Sequence, residues 1–115
     1  MKIKLSPKDR ERITYIKDTI DRDFKQELTI QELEKLAGIN ESKLRSGFKH
    51  LFGITIFDYI SQKKLEHVLV LLETTDIYIN QIAFEVGYKN VSSFNRTFNN
   101  KFRMTPTAWR ELNRA

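Results

Sequence analysis

The chain has 115 residues, 40% of them hydrophobic, which suits one ordinary domain or two small ones. It contains no cysteine and only two histidines, so a disulfide framework is excluded and a zinc or iron site is not expected. The formal net charge of +5 is concentrated in two windows without any acidic residue, 42–57 and 86–110. Such a distribution is typical of a surface that faces a polyanion.

Seven helices are predicted along the chain, and no strand-like alternation is present. Ser6 as a cap, followed by Pro7, opens the first helix, while Thr29 opens the second and Gly38 ends it. The apolar positions expected to face a core in these two helices are Ile13, Ile16, Ile20, Phe24, Ile30, Leu33, Leu36 and Ala37.

The third helix is capped by Asn40, and Leu44, Phe48 and Phe52 recur on one side of it every four residues. Thr55 opens a long fourth helix. The apolar positions of that helix are Phe57, Ile60, Leu65, Val68, Leu69 and Leu72.

The last three helices repeat this outline. A fifth helix leads to Gly87, Asn90 caps the sixth, and Thr105 with Pro106 opens the seventh. The apolar positions of the fifth and sixth helices are Ile79, Ile82, Ala83, Val86, Phe94, Phe98 and Phe102.

The chain carries an internal duplication. When residue n is laid over residue n+50, Leu44 meets Phe94 and the two following aromatic positions also coincide. Each copy reads as helix, short glycine turn and helix, which is the outline of a helix-turn-helix. The prediction is therefore an all-α fold with two helix-turn-helix subdomains, residues 1–54 and 76–115, joined by a long linker helix at 55–75.

The second helix of each module has an exposed face suited to duplex DNA, with donors for base edges and cations or amides for phosphates. Arg96 matches a guanine and Asn95 an adenine in bidentate fashion. The predicted base readers are Ser42, Lys43, Arg45, Ser46, Val91, Ser92, Asn95 and Arg96. The predicted phosphate contacts are Lys49, His50, Asn99, Lys101 and Arg103.

The linker helix sets the expected spacing of the two reading helices. About 19 residues at about 1.5 Å each span roughly 28 Å. This approaches the roughly 34 Å between successive major-groove faces, so one chain could read two half-sites about ten base pairs apart. Because the two reading faces differ in residues, the DNA site is expected to be asymmetric.

Two other binding functions remain open at this point. A basic helical module could bind an acidic protein partner without reading DNA, and a single-strand or RNA binder would need exposed aromatic side chains, which the four-residue spacing does not favour. The sequence has no glycine-rich phosphate loop, nucleophile elbow or convincing pair of carboxylates. We therefore expect neither an enzyme nor a cofactor.

The second module, INQIAFEVGYKNVSSFNRTFNNKFRMTPTAWR, contains an isoleucine-alanine pair, a glycine-aromatic turn, F-x-R-x-F, T-P and a final aromatic-arginine pair. In these residues the chain resembles the DNA-binding domain of the AraC/XylS family of bacterial transcription regulators, over about residues 30–110. The resemblance implies seven helices, two helix-turn-helix units and all of the base readers named above except Lys43. Arg103 stands where the family usually has a glycine, and we expect it to contact a phosphate.

The resemblance also implies partners and context. The expected partners are double-stranded DNA and, for an activator, RNA polymerase. Family members usually join this domain to an effector-binding or dimerising domain, so the chain is either a free-standing regulator or an excised C-terminal domain. We expect the second, a domain that is monomeric alone, with the full-length protein dimerising through a domain absent here. The longest aliphatic run, residues 68–72, is far short of a membrane span, and no basic-then-apolar leader is seen, so a cytoplasmic location without membrane contact is expected.

Overall fold

The computed structural model describes residues 4–114, and within that range it contains seven α-helices and no strand. This confirms the all-α prediction and its number of helices. The helices are α1 (Pro7–Asp23), α2 (Ile30–Ala37), α3 (Glu41–Phe52), α4 (Ile56–Thr74), α5 (Ile79–Glu85), α6 (Val91–Phe102) and α7 (Pro106–Asn113). None of these helices is long and apolar enough to cross a membrane.

Six of the helices begin at a side-chain cap. In each case a side-chain oxygen accepts a hydrogen bond from the backbone N–H three residues later, at 2.7–3.2 Å. This satisfies one of the donors that a helix start leaves without an intrahelical partner. The caps are Ser6, Thr29, Asn40, Thr55, Asn90 and Thr105.

The described chain forms two compact units, one ending at Gln62 and the other beginning at Lys63, so the division falls inside α4. The predicted boundaries of 1–54 and 76–115, with a separate linker, stay a prediction. The core of the first unit combines α1, α2, α3 and the start of α4. Its buried members are Ile13, Ile16, Ile20, Leu33, Ala37, Leu44, Phe48, Ile56 and Ile60.

Two apolar positions predicted to face this core are exposed instead. Leu36 is 49% exposed because Leu33 and Ala37, with a partly buried Ile30, supply the inner face of the short helix α2. Phe57 is 40% exposed because it follows Ile56, which takes the buried position at the start of α4. The ring of Phe57 lies against the guanidinium of Arg45 in α3.

A polar cluster fastens α4 to α1 in the first unit. The Tyr59 hydroxyl donates to the carboxylate of Asp21, and Lys17 Nζ lies 3.4 Å from the same carboxylate. The Lys17 ammonium also lies 5.6 Å from the ring centroid of Phe52 and 5.4 Å from that of Tyr59. The contact with Tyr59 raises the pKa of Lys17, and burial raises the pKa of Tyr59.

The second unit is built around the aromatic stripe of α6. Phe94 and Phe98 are fully buried, with ring centroids 6.0 Å apart. Tyr88 packs at 5.2 Å against Phe94, and Phe102 at 4.6 Å against Phe98. The four-residue spacing of the phenylalanines therefore serves the core, as predicted, and leaves the opposite face of α6 to solvent.

Arg110 does not contribute to a polyanion-facing surface, although it lies in the second cationic window. Its guanidinium donates to the carbonyls of Leu72 at 3.0 Å, Ile77 at 2.8 Å, Thr75 at 3.2 Å and Leu71 at 3.5 Å. Carbonyls at the end of a helix and in the segment after it need donors from outside the helix, and Arg110 supplies them. The residue thereby ties α7 to the end of α4.

Candidate nucleic-acid interface

The turn before α3 fixes where this helix begins. Gly38 ends α2 with φ of 70°, in the left-handed region that glycine tolerates, and its carbonyl accepts from Arg12 Nη1 at 3.2 Å. Asn40 Oδ1 then accepts from the backbone N–H of Lys43 at 2.8 Å. The turn and the cap together set the direction of α3 on the first unit.

The inner side of α3 packs closely on α1. Leu44 and Phe48 are fully buried, and Gly47 lies between them. A Cβ atom placed on Gly47 would lie 2.4 Å from Cδ1 of Ile13, so only glycine permits this approach without displacing a neighbour. The close packing directs the opposite side of α3 outward.

The predicted residues of α3 are all exposed, but they do not all share one face. Ser42, Arg45, Ser46 and Lys49 follow the spacing i, i+3, i+4, i+7, which places them along one stripe of the helix. Lys43 and His50 lie on the flank of that stripe. The structure thus brings together three of the predicted base readers and one predicted phosphate contact.

Lys43 is held toward α1 by an ion pair. Its Nζ lies 3.3 Å from the carboxylate of Asp9, which also accepts from the backbone N–H of Ser6 at 3.0 Å. The bond from Ser6, supported by Lys43, lowers the pKa of Asp9, so that the carboxylate stays ionised. For Lys43 to read a base edge, this pair would have to open.

Arg45 is held by two neighbours. Its Nε donates to Glu41 Oε1 at 3.3 Å, one helical turn earlier, and its guanidinium carbon lies 5.5 Å from the ring centroid of Phe57. The arginine and glutamate side chains are still half exposed, at 50% and 48%. The two terminal nitrogens of Arg45 therefore remain available to a ligand in solvent.

The second reading helix, α6, presents a comparable stripe. Asn90 caps it through a 2.7 Å bond from Ser93, and Ser92, Asn95 and Arg96 are exposed. Together with Asn99 they repeat the i, i+3, i+4, i+7 spacing, so that all four share one face. Arg96 has no ion-pair or hydrogen-bond partner in the part of the chain that the structure describes.

Three other predicted residues of the second unit lie outside this stripe. Val91 is half-buried at the first position of α6, and Lys101 follows Ser92 by nine residues, which puts it half a turn away from the stripe. Arg103 ends α6 as an exposed residue with φ of 60°, in the left-handed region. It is the one non-glycine residue with positive φ among residues 4–114.

Asp9, Glu41 and Phe57 shape the candidate interface but were not predicted as site residues. The Glu41–Arg45 pair follows the i, i+4 rule and could have been read from the sequence. The other two contacts join separate helices, so no local spacing announces them. Within residues 4–114 there is no group of three or more side chains able to hold a metal ion.

Comparison with known sequences places the chain in a family. A family model described as a helix-turn-helix domain matches residues 33–112, more than half of the chain. The chain is 28% identical over 102 residues to the HTH-type transcriptional activator RhaR of Enterobacter sp. strain 638, covering 89% of this chain and 35% of that protein. It spans about a third or less of the length of the curated relatives it matches.

Solved structures with the same fold include a domain of a response regulator and a DNA-binding domain. The C-terminal domain of the two-component response regulator yesN from Fusobacterium nucleatum is 30% identical, with a TM-score of 0.80 over 84% of this chain and 95% of that one. The DNA-binding domain of AdpA, determined in complex with a target DNA, is 16% identical, with a TM-score of 0.83 over 88% and 91%, and this likeness concerns the fold. The chain therefore belongs to the AraC-type family of helix-turn-helix domains, which are the DNA-binding domains of transcription regulators.

Proposed function

We propose that this domain binds double-stranded DNA sequence-specifically for a transcription regulator, with α3 and α6 in two adjacent segments of the major groove. The observation that carries the proposal is the repeated polar stripe, in which both helices bury an aromatic face and expose four polar residues at the same spacing. A helix with such a face fits the major groove, where base edges present distinct donors and acceptors.

In the first unit, Arg45 is the main base reader, flanked by Ser42 and Ser46. An arginine donates two parallel hydrogen bonds to O6 and N7 of guanine, which no other base pair accepts in the same way. Lys49 and His50 lie toward the end of α3 and suit the phosphates beside the groove.

In the second unit, Arg96 and Asn95 read bases. Arg96 suits guanine. Asn95 suits adenine, because its amide N–H donates to adenine N7 while its amide oxygen accepts from the N6 amino group. Asn99 and Arg103 lie toward the end of α6 and suit phosphates. Lys101, half a turn away from the stripe, stays a predicted phosphate contact.

The two units would read different bases, because Arg45 and Ser46 on α3 correspond to Asn95 and Arg96 on α6. A single chain would therefore recognise an asymmetric site of two blocks about one helical turn apart. A dimer is not required for this, so the domain alone would act as a monomer.

We infer the wider role of the protein by analogy with its relatives. RhaR is named a transcriptional activator, and we place this chain in the same role, as a non-enzymatic cytoplasmic regulator that contacts RNA polymerase. In vitro transcription with RNA polymerase, with and without the protein, tests the sign of regulation. An activator should raise the amount of transcript.

Selection of bound duplexes from a random pool tests the DNA-reading proposal. The expected result is an asymmetric motif of two blocks about one turn apart, with log affinity falling linearly in log salt because phosphate contacts release counterions. A palindrome would contradict single-chain reading. Absence of any enriched sequence would favour a basic protein-interaction module instead.

A further inference from the structure

Phe57 occupies an unusual place for a large apolar side chain. It lies at the second position of α4 and remains 40% exposed, although Ile56 and Ile60 beside it are buried. What it contacts is the guanidinium of Arg45, whose central carbon lies 5.5 Å from the ring centroid. An arginine over an aromatic face is attracted by the negative face of the ring.

Glu41 restrains the same arginine from another side. Its Oε1 accepts from Nε of Arg45 at 3.3 Å. The guanidinium group contacts both an aromatic ring and a carboxylate. One residue of the reading stripe is thus oriented before any DNA is present.

The internal duplication shows that the fold itself does not require this arrangement. Fifty residues further on, Val91 stands in the place of Glu41, Asn95 in that of Arg45, and Thr107 in that of Phe57. The second unit keeps the same helices and the same buried stripe without an acid, an arginine or a ring at these positions. The helix-turn-helix outline therefore does not account for Glu41 and Phe57, whose shared contact is Arg45.

The donors of Arg45 are divided in a way that suits one base. An arginine has five N–H groups, and the Nε–H is taken by Glu41, which leaves the four on the two terminal nitrogens. Two of these, one from each nitrogen, form the fork that pairs with O6 and N7 of guanine.

We propose that Glu41 and Phe57 are positioning residues that set the specificity of the domain at the base pair read by Arg45, and that this pair contains guanine. The inference rests on the proposed DNA binding and names two residues that act through Arg45 without needing to touch a base. A guanidinium held in place loses less rotational freedom on binding and is less able to turn toward a neighbouring phosphate.

The charge of Glu41 adds a second effect. A carboxylate on the reading helix opposes the attraction of any DNA, whereas its pairing with Arg45 favours the correct base. Glu41→Gln is therefore expected to tighten binding to random DNA and to weaken discrimination at the Arg45 pair. For random DNA, the slope of log affinity against log salt should also become steeper by about the value of one phosphate contact, because Arg45 becomes free to neutralise a phosphate.

The experiment first locates the base pair. Selections from random duplexes with the unchanged domain and with Arg45→Ala identify the pair whose preference disappears. Discrimination at that pair is then measured for Glu41→Gln, Phe57→Ala and Phe57→Tyr. Leu36→Ala, which shortens another exposed apolar side chain of the first unit, is the matched control.

Phe57→Ala should reduce discrimination at the Arg45 base pair by about 2- to 5-fold. This is the size expected from losing one cation–π contact at an exposed site. Phe57→Tyr keeps the ring and should keep the discrimination, and Leu36→Ala should change nothing. With Arg45→Ala already present, Phe57→Ala should have no further effect. The base pair that depends on Arg96 should be read equally well throughout.

Unchanged discrimination at the Arg45 pair in both Phe57→Ala and Glu41→Gln would overturn the inference while leaving the proposed DNA binding intact. Equal losses at the Arg45 and Arg96 pairs would also overturn it, since they would indicate a general weakening. Absence of any enriched site with the unchanged domain would instead refute the proposed function, and the inference with it.

Discussion

Arg103 offers a substitution whose effects on stability and on DNA affinity should have opposite signs. It ends α6 with φ of 60°, while its counterpart Gly53 ends α3 with φ of 73°. A non-glycine residue in the left-handed conformation destabilises the folded chain by about 1–2 kcal/mol. Glycine avoids this cost, but its greater freedom in the unfolded chain offsets about 0.4–1 kcal/mol of the gain. Arg103→Gly should therefore stabilise the domain by about 0.5–1 kcal/mol.

Thermal unfolding and DNA titrations measure the two effects separately. The melting temperature should rise by about 2–6 °C. Affinity should fall equally for specific and random duplexes, and the salt slope should decrease by about 0.9, as the loss of one phosphate contact predicts. The gain in stability should thus accompany a loss of binding.

Arg103→Ala is the control that separates charge from backbone. Alanine removes the guanidinium but keeps a Cβ in the left-handed conformation, so it should lose the same affinity without any gain in stability. If Arg103→Gly were no more stable than Arg103→Ala, the argument from backbone strain would be refuted. If both variants bound DNA like the unchanged domain, Arg103 would not contact a phosphate.

Three further predictions concern other parts of the two units. Arg110→Ala removes the donors to four carbonyls and should lower the free energy of unfolding by about 3 kcal/mol in urea titrations. The control Arg114→Ala breaks an ion pair with an exposed carboxylate and should cost less than about 0.5 kcal/mol. Equal costs for the two variants would contradict the role assigned to Arg110. Arg96→Ala should cost about 1–3 kcal/mol on the best site and flatten preference at one base pair, while Lys49→Ala should weaken all sequences alike; equal losses on specific and random DNA for Arg96→Ala would refute its base contact. The pKa of Tyr59 is raised in the folded chain by burial, so its contribution to stability is present below about pH 10 and is lost as the pH rises through the folded value. Tyr59→Phe should make the unfolding free energy less dependent on pH in that alkaline range, and an unchanged slope would contradict this.

Helix positions were predictable because their signals are local. Asn40 and Asn90 each accept a hydrogen bond from the backbone N–H three residues later, which marks a helix start. Phe94 and Phe98 recur at the helical period. The exposure of Leu36 was not predictable from periodicity, because it depends on how far the short helix α2 is covered by its neighbours. Local spacing describes a helix, whereas burial depends on what packs against it.

In the candidate site, too, the features set by local spacing were predictable and those set by contacts between distant residues were not. The stripes on α3 and α6 follow from helical spacing, so Arg45 and Arg96 could be placed on outward faces from the sequence. The pairing of Lys43 with Asp9 and the fastening role of Arg110 depend on contacts between residues far apart in the chain. A count of cations therefore overstated the charge available to DNA, since Arg110 is committed to backbone carbonyls.

The central claim is that one chain reads two blocks through helices of two units joined by the uninterrupted helix α4. Insertion of five base pairs between the two selected blocks tests it most directly, because it turns one block half a helical turn away from the other. Affinity for this duplex should fall to that of a duplex with one block scrambled. Undiminished affinity for the lengthened site would contradict it.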